Sequence, residues 1–143
     1  MSDQHIVSSF DRDLEALQAH LTRLSGLVET ALISATTALE ALDIPAAEKV
    51  IIGDKAIDDL EEFIQTEAAT LIARRAPTAV DLRLVLAVMR VAHSLERVGD
   101  YAKNVAKRTR ILRPRGAVEG RPGTSPRGAP LGARLLDGAN HDL

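Results

Sequence analysis

The chain has 143 residues, a formal net charge of −2, 45% hydrophobic residues, 2% aromatic residues and no cysteine. The missing cysteines exclude disulfides, thiolate metal sites and cysteine catalysis, and the charge gives no electrostatic footing for nucleic acid. No apolar run approaches the roughly 18–20 residues that span a bilayer, and "MSDQHIVSSF" lacks a signal-peptide pattern. One cytoplasmic domain is expected, with a core of Leu, Val, Ile and Ala suited to packed helices.

The first element is a helix over residues 9–42, with Ser8 or Ser9 as N-cap. Leu14, Leu17, Leu21, Leu24, Val28, Ala31, Ala35, Ala38 and Leu42 step by threes and fours, the spacing of a helix packed along its whole length. Pro45 ends it and suits the first turn of a second helix, about residues 46–76. That helix carries the stripe Val50, Gly53, Ile57, Leu60, Ile64, Ala68 and Leu71. Pro77 stops it, and Thr78 with Asp81 resembles the capping box of a third helix running to about Arg110. Leu84, Val88, Val91, Leu95, Val98, Ala102 and Val105 form the third stripe; Arg83, Arg90, Ser94, Arg97, Asn104 and Arg108 share the opposite side. Two short connections make the fold an all-α, antiparallel three-helix bundle over residues 1–112. Residues 113–143 hold six of nine glycines, four of six prolines and five arginines; they read as a disordered, mildly basic tail.

Five carboxylates stand beside these stripes. At about 100° per residue, Glu96 and Asp100 fall on the apolar flank of the third helix, away from its arginines. Asp54, Asp58 and Glu61 likewise flank the stripe of the second. If the second hairpin folds about residues 77–78, Asp58 faces Glu96 and Asp54 faces Asp100; folding the first about residue 44 brings Glu29 to the height of Asp58 or Asp59. Helix axes about 8–10 Å apart leave room for an ion between opposed carboxylates, and like charges so close need a cation or shared protons. Oxygen ligands without thiolate suit Mg, Mn, Ca or Fe, with Zn admissible. His93 could add a nitrogen ligand. Alternatively the acids pair with Lys55, Lys103 and Lys107, leaving a metal-free helical interaction module. A carboxylate-bridged di-iron redox bundle is a third reading, but it needs two Glu-x-x-His copies and the chain has a single His93-x-x-Glu96 in the reverse order. There is no glycine-rich phosphate loop and no Ser/His/Asp constellation.

The segments "HIVSSFDRDLEAL", "LSGLVETAL", "VIIGDKAIDDLEEFI" and "LIARRAPTAVDLRLVLAVMRVAHSLERVGDYAKNVAK" occur in order over about residues 4–110. In these the chain resembles the PhoU family of bacterial phosphate-transport accessory proteins. The resemblance implies three-helix repeats, each with an E/D-x-x-x-D motif that binds metal in some members, here Asp54–Asp58 and Glu96–Asp100. It implies an ion pair between Asp81 and Arg83 that orders the bundle. It also implies a non-enzymatic negative regulator of phosphate uptake at the inner face of the cytoplasmic membrane, with the phosphate ABC transporter ATPase subunit and a sensor histidine kinase as partners. The family usually has two repeats; here the Pro/Gly/Arg tail stands where a fourth helix is expected. A lone repeat leaves apolar surface to cover, so a homo-oligomer such as a homodimer is expected.

Overall fold

The computed structural model describes the backbone of residues 2–118 and the side chains of residues 9–112. Three helices follow in order: α1 (Ser2–Ala41), α2 (Ile44–Arg75) and α3 (Ala79–Val118). Each packs on both others, giving the expected antiparallel bundle. Two expected ends differ. α1 starts at Ser2 and passes through Ser8 and Ser9, because "SDQHIVS" contains no proline or glycine to interrupt it. α3 continues beyond Arg110 to Val118, its backbone helical through Pro114 and Gly116; a proline removes one hydrogen bond from a helix that is already long. The remaining tail, residues 119–143, lies outside the described residues.

The first turn is compact because each residue satisfies a helix end. Leu42 adopts a left-handed conformation (φ 51°). Its N–H donates to Leu39 O and that of Asp43 to Ala38 O, closing a Schellman motif on α1. Asp43 is also the N-cap of α2, its Oδ1 accepting from Ala46 N at 3.1 Å, with Pro45 in the first turn. At the second turn Ala76, again left-handed (φ 42°), donates to Ile72 O and ends α2. α3 starts directly after Thr78, whose Oγ1 donates to Asp81 Oδ2 at 3.5 Å. Among the described residues Asp81 forms no ion pair with the exposed Arg83; residues two apart on a helix point to different sides.

The core has two parts. A larger cluster holds Phe10, Leu14, Leu17, Leu24, Val28, Ile57, Ile64, Ala68, Leu71, Val85, Val88 and Ala92. Toward the first turn it gives way to Ala35, Ala38, Ala47, Val50, Ala102 and Ala106, where small side chains bring the backbones close. α3 is rotated relative to its expected stripe. Val85, Val88, Ala92, Gly99, Ala102, Ala106 and Thr109 are buried, whereas Leu84 and Val91 are exposed. The rotation, roughly 40°, turns the flank with Glu96 and Asp100 inward toward α2. On α2 the buried position in the same turn is Asp54, with Gly53 outside.

Candidate metal centre

Both hairpins fold in the expected register. Arg75 Nε meets Asp13 Oδ2 at 3.3 Å across the first, and Gln65 Nε2 donates to Met89 O at 2.8 Å across the second. These pairs place residues 54–61 of α2 opposite residues 96–100 of α3. Asp54, Asp58 and Asp100 each bring one carboxylate oxygen within 4.8 Å of those of the other two.

Their environments differ. Asp54 is 3% exposed, and neither carboxylate oxygen accepts a hydrogen bond. Lys103 Nζ stands 3.4 Å from Oδ2, an ion-pair distance without hydrogen-bond geometry. Burial, helped by the charges of Asp58 and Asp100, raises the Asp54 carboxyl above its ordinary range; Lys103 pulls the other way without cancelling it. Asp58 and Asp100 are exposed and open the group to solvent.

Glu96 is half-buried one turn before Asp100. Its carboxyl is raised by burial first, then by the charges of Asp100 and Asp58 and a side-chain hydrogen bond to Asp100. Glu61, also half-buried, accepts from Gln65 Nε2 at 2.9 Å and contributes negative field at Glu96. Of the five expected carboxylates, three converge and two form an acidic margin. Glu29 and His93 are exposed and stand outside the converging group. Lys55 pairs along its own helix with Asp59 at 3.0 Å, leaving Lys103 as the cation at Asp54.

Two residues of the site carry little signal in the sequence. Gln65 bridges Glu61 and the α3 backbone, a role that its neighbours in sequence do not announce. Gly99 lets the helices approach: a Cβ there would lie 3.1 Å from Ile57 Cγ2 and 3.7 Å from Asp54 Oδ1.

The donor set suits a hard cation. It offers oxygens only, one from a buried carboxylate with no hydrogen bond to lose, and open sides for water or a further carboxylate. Ligation would also offset the burial, and relieve the mutual repulsion, that raise Asp54 and Glu96.

A PhoU domain model matches residues 21–109. The chain is 41% identical over 109 residues to the phosphate-specific transport system accessory protein PhoU homolog of Caulobacter vibrioides, covering 76% of this chain and 47% of that protein. Proteins of the same description from Rhizobium meliloti and Zymomonas mobilis are 43% and 44% identical over 108 residues, covering 76% of this chain and 46% of each. The chain thus spans about half the length of the curated relatives it matches.

Proposed function

Because the chain belongs to the PhoU domain family, we propose that it acts as a non-enzymatic regulator of phosphate uptake and phosphate-starvation signalling, with a carboxylate metal centre joining α2 to α3. Asp54, Asp58 and Asp100 hold the ion, and Glu96 and Glu61 enrich the negative field around it. The ion supplies charge neutralisation and cross-links two helices. Its identity is a hard or borderline divalent or iron ion (Mg, Mn, Fe or Zn). The observation that carries this reading is Asp54: a buried carboxylate with neither oxygen hydrogen-bonded and Lys103 at ion-pair distance from one of them, set within 4.8 Å of two more carboxylate oxygens on two helices. Lys103 alone fits a metal-free module, but it reaches one oxygen of one carboxylate.

The family resemblance supports partners at the transporter, namely the phosphate ABC transporter ATPase subunit and the sensor histidine kinase. No described helix is long and apolar enough to cross a membrane. The family resemblance supports a cytoplasmic location, peripheral to the inner face of the membrane through those partners.

The test has two parts. Metal content and melting temperature are measured with and without chelator for the native chain and for Asp58→Asn plus Asp100→Asn. The native chain is expected to retain metal and to lose several degrees on chelation, and the double variant to retain none and ignore chelator; identical behaviour of the two removes the metal centre. Binding of the purified chain to the transporter ATPase subunit and to the kinase, scored with and without metal, tests the regulatory role, which no binding to either would overturn.

A further inference from the structure

Between α1 and α2, toward the Ala76 end of the bundle, the helices leave a cavity of about 90 Å³. Both helices line it with the spacing i, i+3, i+4, i+7, from Asp13 to His20 on α1 and from Glu67 to Arg74 on α2. The buried Leu17 and Leu71 make its floor. Ala16 and Thr70 open it, because short side chains stand there between longer ones. At one end the Phe63 ring meets His20 edge-on, with centroids 5.0 Å apart, and fixes the imidazole beside Glu67. The space is several times the roughly 10–15 Å³ that one water needs. It is far below the roughly 300–1,000 Å³ of pockets for drug-sized ligands, so it suits a ligand of a few non-hydrogen atoms.

The charged corners of this cavity are not equally engaged. Asp13 is held by Arg75, whose Nε stands 3.3 Å from its Oδ2. Among the described residues, the side chains of Glu67 and Arg74 have neither hydrogen bond nor ion pair, with each other or with any neighbour. Thr70 lies between them, and its Oγ1 donates to Thr66 O at 2.9 Å. That hydroxyl has spent its one hydrogen, so toward the cavity it can only accept. The α2 wall therefore presents two acceptors, Glu67 and Thr70, beside one donor, Arg74. A ligand of one sign satisfies one corner and is repelled by the other; a ligand carrying both charges satisfies both.

We infer that this cavity binds a small zwitterion with its ammonium and acid groups on one carbon, the chemistry of a small α-amino acid. The ammonium donates to Glu67 and Thr70. The acid group accepts from the Arg74 guanidinium, a planar fork that pairs a carboxylate through two parallel bonds. Leu17 and Leu71 keep water from the inner side, where both contacts gain strength. The volume leaves room for no more than a short side chain on the ligand. The site is separate from the acidic group, since Glu67 lies thirteen residues, about 20 Å along α2, from Asp54.

The experiment titrates the isotope-labelled full chain with glycine and follows its amide NMR signals to about 20 mM, a range that covers a millimolar dissociation constant. The amides of Ala16, Thr70 and Leu71 are expected to shift along one saturating curve, while those of residues 96–100 stay still. Acetate and ethylammonium each carry one of the two charges, and each is expected to bind at least about tenfold more weakly. Glu67→Gln and Arg74→Gln should each weaken glycine by about tenfold or more. Ala16→Leu fills the cavity from an exposed position and should abolish binding with unchanged helical circular dichroism. No saturable shift with glycine, acetate or inorganic phosphate bound as tightly as glycine, or variants that bind like the native chain would overturn the inference.

Discussion

At Asp54 the raised carboxyl has a defined consequence for stability. A carboxyl whose folded-state pKa lies above its unfolded value stabilises the fold while protonated. That contribution is complete below the ordinary carboxylate range and is lost as pH rises through the raised folded value. Glu96 acts with the same sign. Metal-stripped protein is therefore expected to melt higher as pH falls from neutrality toward the ordinary carboxylate range, and metal-loaded protein lower over the same range, since ligands must be deprotonated. Asp54→Asn removes the buried charge and keeps the shape; in chelator at pH 7 it should raise the melting temperature by about 2–4 °C and flatten the pH dependence. An unchanged or lower value would mean that Lys103 already balances the charge. The sequence places Asp54 beside the stripe, but only the structure puts it inside, because a helical wheel ranks Gly53 as the more apolar neighbour.

The helices themselves were legible from period alone; their rotation was less so. Of the expected α3 stripe, Val88 and Ala102 are buried, Leu95, Val98 and Val105 half-buried, and Leu84 and Val91 exposed, while Val85, Ala92, Gly99 and Ala106 take the rest of the interior. Hydropathy ranks leucine and valine above alanine and glycine, whereas close helix approach favours the small residues, and near the acidic group approach wins. Two glycines separate these effects. Gly53→Ala meets nothing within 4 Å, so it should stabilise by about 0.5–1 kcal/mol through helix propensity. Gly99→Ala gains the same propensity but sets its methyl 3.1 Å from Ile57 Cγ2. Cγ2 is bonded directly to Cβ and cannot swing away, so overpacking of about 1–3 kcal/mol should outweigh the gain. Urea denaturation of the two variants checks the opposite signs, and Gly99→Ala should also weaken metal binding by parting α2 from α3.

For the whole molecule, hairpin register was the most legible quantity, since short turns at residues 42–43 and 76–78 leave little freedom to slide. What could not be read was the split among the carboxylates, because helix height says which residues are level and not whose side chain turns inward. The same register fixes where the acidic group sits relative to the turns. Asp54 and Asp100 lie more than twenty residues from Ala76, roughly 30 Å along the hairpin, and close to the opposite end of the bundle. There the Leu42–Asp43 turn ties α2 to α1, but no peptide link ties α3 to either. The α2–α3 hairpin is thus hinged at one end and clasped by carboxylate chemistry near the other. Beyond the clasp α3 is held by alanine contacts, the Arg110–Glu48 pair at 3.1 Å and the buried Thr109. Protection from amide exchange over residues 102–109 should therefore rise with metal and fall with chelator, while residues 82–92 near the hinge stay unchanged; equal response along α3 would refute the clasp. Repulsion acting so far from the hinge works on a long lever. A small change of charge at one point then becomes a large change in how firmly half of a helix is seated.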